Sequence, residues 1–95
     1  MIEIFTFQLA EGADEEAFLA ADKRLQTGFA YQQPGLLRRT TGRGEDGRWV
    51  VVELWRSAAD ADACDARWGD DPLGAEFMTF VDASSRETSR WFELE

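Results

Sequence analysis

The sequence contains no histidine and only one cysteine, Cys64. Without imidazole the chain cannot build a Ser–His–Asp or Cys–His nucleophile, a histidine-ligated metal site or a histidine haem ligand. A single cysteine cannot form an internal disulfide, which fits a reducing cytoplasm. Because no histidine is available to activate it, we expect the Cys64 thiol to be buried and inert.

Positive charge and long apolar runs are also scarce. The chain has 10 Lys and Arg residues against 19 Asp and Glu residues, for a net charge of −9. This excess would repel phosphate backbones and anionic lipid surfaces, so we expect neither nucleic acid nor a membrane as a partner. No apolar run approaches the ~20 residues of a membrane span. The amino terminus lacks the succession of basic, apolar and small residues that marks a signal peptide. These features predict a cytoplasmic protein.

Aromatic residues, by contrast, are abundant, with 4 Trp and 7 Phe in 95 residues. The length predicts a single domain, residues 1–95. Rings in this number fill a core, line a pocket or cover a subunit interface.

The first third of the chain predicts a strand followed by a helix. Residues 1–9 alternate with period two and are apolar on both faces, which indicates a strand covered on both sides. Asp14 is a candidate N-cap for a helix that runs to about Tyr31 and ends at residues 33–35. Its apolar stripe repeats every three or four residues and comprises Phe18, Ala21, Leu25 and Phe29. We predict Asp22, Lys23 and Gln26 on the outer side.

A hairpin follows, with strands predicted at residues 36–43 and 48–55 around an Asp46-Gly47 turn. A two-residue turn places Arg38 on the same face as Glu53 and Trp55, whereas a three-residue loop would place Arg39 there. Glu53 is a charge in an otherwise apolar strand and needs a partner. Arg38 is the preferred candidate.

The remainder predicts two helices and a last strand. Ser57 with Asp60 forms a capping box that starts a helix ending at Gly69, and Asp71 before Pro72 caps a shorter helix. One face of the longer helix carries Ala58, Ala61, Cys64 and Trp68. The last strand is predicted at residues 86–94.

This order of elements predicts an α+β fold of the ferredoxin-like, split βαβ type. It has a four-stranded antiparallel sheet with helices on one face. Helices can cover only one face, yet the strands are apolar on both. We therefore predict a homodimer whose two sheets pack face to face.

Two further motifs resemble ligand-binding sites, but the residues around them do not fit. Residues 42–47 match G-x-G-x-x-G, but a strand follows instead of a helix, and Glu45 with Asp46 would repel phosphate. The acidic residues around the second helix lack the glycine and terminal acid of a calcium loop, so we predict a solvated helix face and no metal site. These residues are Asp60, Asp62, Asp65, Asp70 and Asp71.

From Pro34-Gly35, through the hairpin, to the run Glu53-Leu54-Trp55-Arg56-Ser57 and the helix after it, the chain resembles the antibiotic biosynthesis monooxygenase (ABM) family. That family belongs to the dimeric α+β barrel superfamily. The resemblance implies a homodimer with one ligand cleft per subunit. Cys64 stands where many relatives carry a histidine, so a mechanism that uses that imidazole cannot transfer.

The resemblance further implies a cofactor-independent monooxygenase acting on a small aromatic, quinol or polyketide-type substrate. Such a site needs a cation for the substrate anion, which we assign to Arg38, and a proton acceptor. We assign proton relay or substrate hydrogen bonding to Tyr31 or Glu53. The predicted substrate-binding residues are Trp55, Trp68, Phe18 and Cys64. Two alternatives remain, a non-catalytic ligand-binding or regulatory dimer and an isomerase or cyclase that uses Glu53 and Arg38.

Overall fold

The fold, in a computed structural model that describes residues 1–94, is one antiparallel sheet with helices packed on one face. The strands are β1 (Ile2–Leu9), β2 (Leu36–Arg43), β3 (Trp49–Trp55) and β4 (Val81–Trp91), in the spatial order β2-β3-β1-β4. The helices are α1 (Glu15–Gly28), α2 (Ala58–Trp68) and α3 (Pro72–Met78), with a single 3₁₀ turn at Ala30–Gln32. The predicted ferredoxin-like α+β fold is confirmed.

The helices begin where the sequence places capping side chains. Asp14, Ser57 and Asp71 each accept a hydrogen bond from a backbone N–H in the first turn of the helix that follows. These bonds satisfy donors that have no partner inside the helix. None of the helices within residues 1–94 is long and apolar enough to cross a membrane.

The core lies between the helices and the inner face of the sheet. Phe18 is completely buried on α1, and its ring packs edge-on against Phe7 of β1 and Trp49 of β3. Phe77 of α3 closes the cluster against both phenylalanines. Contacts of this kind contribute beyond the apolar area that they bury. The predicted α1 stripe (Phe18, Ala21, Leu25 and Phe29) is buried throughout.

The hairpin between β2 and β3 has a three-residue loop, which reverses one prediction. Gly44 donates a hydrogen bond to the carbonyl of Arg48, and Gly47 adopts a φ of 83°. A glycine at positive φ in the last position of the loop is typical of three-residue hairpin loops. The odd length pairs Arg39, not Arg38, with Glu53. The placement of Arg38 on that face is therefore wrong: Arg38 lies opposite Leu54 and is exposed.

Two other predictions differ from the structure. The last strand begins at Val81, not at Arg86. Residues 83–85 lie at a bulge in the β1–β4 pairing, where the Ser85 hydroxyl accepts a hydrogen bond from the Gln8 N–H. Asp22 is buried instead of lying on the outer side.

The outer face of the sheet carries apolar residues that do not join this core. Ile2, Ile4, Val50, Val52 and Leu54 are half-buried by their neighbours in the sheet, and none belongs to the core cluster. Trp91, paired with Ile2, is 58% exposed. The prediction of a strand that is apolar on both faces is thus confirmed for β1.

Candidate active site

A cavity of about 40 Å³ lies between the inner face of the sheet and helices α2 and α3. It adjoins an open groove of about 470 Å³, which shares four of its lining residues. The residues common to cavity and groove are Phe5, Asp65, Trp68 and Arg86. The cavity wall is completed mainly by apolar side chains, with Arg39 and Glu53 as its buried charged groups.

Four charged residues form a row across the sheet at the floor of this region. Arg39 of β2 pairs with Glu53 of β3, Glu53 pairs with Glu3 of β1, and Glu3 pairs with Arg90 of β4. Directly opposite residues on neighbouring strands project from the same face. The row therefore places two carboxyls side by side between two guanidinium groups.

Arg39 is held from several sides. Its Nη2 donates to Asp22 Oδ1 at 2.8 Å, its Nη1 donates to Gln26 Oε1 at 3.2 Å, and its Nε lies 3.7 Å from Glu53 Oε2. The guanidinium also lies over the Phe77 ring, 5.8 Å from the centroid. Only 2% of the side chain is exposed. A buried guanidinium needs such partners because desolvation penalises an unpaired charge.

At the other end of the row, Arg90 joins β4 to helix α2. Its Nε donates to Glu3 Oε2 at 2.6 Å, and its other nitrogens lie 2.7 Å from Asp62 and 3.2 Å from Asp65. The predicted solvated acidic face of α2 is thus partly an ion-pair network. No group of three or more acidic or cysteine side chains within residues 1–94 is arranged to hold a metal ion.

Glu53 has unusual acidity for a glutamate. Burial raises its pKa from 4.5 to about 7; Arg39 opposes this rise, and the neighbouring Glu3 adds to it. A carboxyl with this pKa exchanges its proton near neutral pH, which is the property of a general base or acid.

Cys64 also lines the cavity, but its thiol does not ionise near neutral pH. Burial, together with the nearby negative charge of Glu53, raises the pKa of the Cys64 thiol to about 12. A thiol with that pKa is not a nucleophile at neutral pH. Cys64 contributes shape and apolar surface.

Of the predicted site residues, the cavity brings together Glu53, Trp68 and Cys64. Trp55 and Phe18 are buried in the core and do not line the cavity. Trp55 is one of the predicted substrate-binding residues. It lies instead at the end of β3 with its main chain bonded to Met1, and its indole N–H, directed toward Glu53, has no hydrogen-bond partner of ordinary geometry within residues 1–94.

Tyr31 does not line the cavity. Its hydroxyl accepts a bond from the Arg39 N–H at 2.8 Å and donates to the Arg39 carbonyl at 3.2 Å. Tyr31 therefore fixes the backbone of β2 at the residue that carries the buried guanidinium. Its hydroxyl is already occupied and stands outside the proposed proton path.

Sequence reasoning missed four contributors: Glu3, Asp22, Arg90 and Arg86. Glu3 carried the same signal as Glu53, a charge at an inward position of a strand with apolar neighbours. Asp22 could have been found from its spacing, because it lies four residues after Phe18 and three before Leu25, on the edge of the buried stripe. The arginines carry no local signal, since their roles depend on strand register.

Comparison with known proteins supports the fold. No protein-family model and no curated protein sequence matches the chain. Two crystal structures of SnoaB, a cofactor-independent oxygenase from Streptomyces nogalater, do match, one of them of a mutant. The mutant has a TM-score of 0.77 at 19% identity, covering 99% of this chain and 92% of SnoaB. The other has a TM-score of 0.73 at 20% identity, covering 99% and 96%.

A structure described as an antibiotic biosynthesis monooxygenase is also similar. It has a TM-score of 0.66 at 14% identity, with both chains covered completely. Likeness at these identities establishes a shared fold. The resemblance inferred from Pro34-Gly35 and the Glu53–Ser57 run is therefore confirmed at the level of the fold.

Proposed function

We propose that this protein is a cofactor-independent monooxygenase that acts on a small hydroxylated aromatic substrate of the phenol or quinol type. The observation that carries the proposal is Glu53, a buried carboxyl with a pKa of about 7 in the wall of an aromatic cavity, beside the guanidinium of Arg39. The fold shared with SnoaB supports the same class of reaction.

In this reaction Glu53 accepts the substrate proton. Before that step its carboxylate is partly neutralised by Arg39, and afterwards the neutral acid leaves the positive charge of Arg39 to stabilise the substrate anion. The anion transfers electrons to O₂, one oxygen atom is inserted at carbon, and the other leaves as water. Written as SH₂ + O₂ → S=O + H₂O, the step balances, because the substrate supplies all the electrons that O₂ accepts.

The geometry limits how the substrate binds. Ligand pockets commonly enclose roughly 300–1,000 Å³, so the inner cavity of about 40 Å³ cannot hold an aromatic ring unless a side chain moves. Met78, a flexible side chain in the wall, is suited to move. The body of the ligand would then lie in the outer groove between Phe5 and Trp68, with its acidic edge directed toward Glu53.

The apolar outer face supports a homodimer as the working form. Ile4, Val52 and Leu54 form a surface that no helix within residues 1–94 covers, and Trp91 extends it. A second copy of the chain offers the matching surface, as a two-fold interface requires.

The small inner cavity also favours a second candidate, a non-catalytic dimer that binds a ligand in the outer groove. An isomerase or cyclase would use Glu53 in the same way, with Arg39 in place of the predicted Arg38.

The deciding experiment measures oxygen uptake by chelator-treated protein with a panel of hydroquinones and polyphenols, followed by ¹⁸O₂ labelling of the product. One labelled oxygen atom in the product supports the monooxygenase. Saturable binding without oxygen uptake supports the binding protein, and a rearranged product without label supports the isomerase.

A further inference from the structure

Glu3 and Glu53 are two buried carboxyls placed directly opposite each other on β1 and β3. Residues opposed in this way have Cβ atoms roughly 4.5–5.5 Å apart. Like charges so placed are destabilising, and two apolar residues would fill the same space without that cost. Two opposed buried carboxyls therefore indicate a chemical role for at least one of them.

The two carboxyls differ in how firmly they are held. Glu3 Oε2 accepts a hydrogen bond of 2.6 Å from Arg90, whereas the nearest nitrogen of Arg39 is 3.7 Å from Glu53. Arg39 makes its short contact with Asp22 instead, at 2.8 Å. Charge-assisted bonds at the shorter distance are the strong ones. Glu3 is thus the member that keeps its charge, and Glu53 is the member free to take up a proton.

The remaining oxygen of Glu3 has a different environment. Glu3 Oε1 is buried and has no hydrogen-bond partner within residues 1–94. Burial without a donor raises the pKa of Glu3 above 4.5, and the hydrogen bond from Arg90 to the other oxygen opposes that rise. The strand register places the Glu53 carboxyl opposite Glu3, and the negative charge of Glu3 raises the pKa of Glu53.

We propose that Glu3 is a positioning residue for the reaction, whose carboxylate, fixed by Arg90, acts through Glu53 and adds to the effect of burial, so that Glu53 serves as a proton acceptor instead of a permanent ion-pair partner of Arg39. This inference rests on the proposed role of Glu53 as the base. It assigns to β1 and β4 a part in the chemistry of a group carried by β3.

Charged and titratable groups approach Glu53 from every element that packs around it. They are Glu3 on β1, Arg39 on β2, and Cys64 and Asp65 on α2, with Asp22 on α1 acting through Arg39. Arg86 on β4 lines the same cavity. The Arg39 guanidinium favours the charged form of Glu53, whereas Glu3 and Asp65 disfavour it. Among the acids, Glu3 is the one opposed to Glu53 in register, and the effect of Glu3 on the Glu53 pKa exceeds that of Asp65.

The test is a ¹³C NMR titration of the Glu53 carboxyl in the substrate-free protein, compared between wild type and Glu3→Gln. We expect the midpoint of Glu53 to move about one pH unit lower in Glu3→Gln, because a like charge has been removed. Glu3→Asp keeps the charge and should leave the midpoint near that of wild type. The matched control is Glu87→Gln, which removes the same charge from β4 at an exposed position opposite Thr6.

An unshifted midpoint in Glu3→Gln, or the same shift in Glu87→Gln, overturns the inference. If Glu3→Gln fails to fold, the wild-type titration still decides, because the inference requires Glu3 to titrate at lower pH than Glu53. The reverse order overturns it. Since the titration needs no substrate, its outcome is independent of whether oxygen uptake is found.

Where activity is present, the pH profile supplies a second readout. The acid limb of kcat/KM should shift to lower pH in Glu3→Gln by the same amount as the Glu53 midpoint. A uniform loss of rate with no shift of the limb would indicate a merely structural role and would contradict the inference.

Discussion

Arg38 and Arg39 are neighbours in β2 whose side chains lie on opposite faces of the sheet. Arg39 is buried beside Asp22 and Glu53, whereas Arg38 is exposed opposite Leu54. The two residues therefore form a matched pair for mutation. They carry the same charge and differ by one position, but only one belongs to the buried charge row.

Replacing each arginine by glutamine should change the free energy of unfolding by different amounts. Arg39→Gln leaves buried carboxylates without their cation and should lower the free energy of unfolding by about 3 kcal/mol or more. Arg38→Gln should change it by less than about 0.5 kcal/mol. Urea denaturation of the two variants at neutral pH measures both values. Equal effects would contradict the assignment of Arg39 to the site.

Glu53 should make stability depend on pH. Its pKa is 4.5 in the unfolded chain and about 7 in the folded chain, because burial raises it. Between these values the folded state keeps a proton that the unfolded state releases. The stabilisation is therefore complete below the lower value and is lost as pH rises through the upper one.

Glu53→Gln cannot titrate and provides the reference. Relative to this variant, wild type should lose about 3 kcal/mol of stability between about pH 4.5 and about pH 8, as a shift of this size implies. Denaturation curves for both proteins across that range measure the difference. A constant difference at all pH values would show that Glu53 ionises normally.

Tyr31→Phe tests whether the Tyr31 hydroxyl positions Arg39 or relays protons. The hydroxyl bridges the N–H and C=O of Arg39, so its loss should cost about 1–2 kcal/mol of stability. Activity should fall by less than about tenfold, since acid–base participation is worth roughly 100-fold or more. A loss of 100-fold at unchanged stability would restore the relay role.

The helices and the fold could be predicted because their signals are local. Asp14, Ser57 and Asp71 precede apolar repeats, and each does cap a helix. The site was less accessible to prediction, because it depends on register. One residue more or less in the loop before Arg48 decides whether Arg38 or Arg39 faces Glu53. Trp55 illustrates a second limit: periodicity places it on the inner face but does not distinguish core from cavity wall.

The outer face of the sheet predicts the oligomeric state. Wild type should be a dimer in light-scattering measurements at micromolar concentration, because burial of Ile4, Val52 and Leu54 against a second copy removes apolar surface from water. Val52→Lys places a charge at the centre of that face and should yield monomers. Arg56→Lys, exposed at the end of β3, serves as a control and should leave the dimer intact. A monomeric wild type would contradict the proposed assembly.

The central claim is that a buried carboxyl at the cavity wall deprotonates an aromatic substrate for reaction with O₂. The most direct test is the pH dependence of oxygen uptake by wild type and Glu53→Gln with the best substrate of the panel. The account predicts that wild-type kcat/KM rises with pH, levels off above about pH 7, and falls by roughly 100-fold or more in Glu53→Gln. A Glu53→Gln variant with the rate and pH profile of wild type would contradict it.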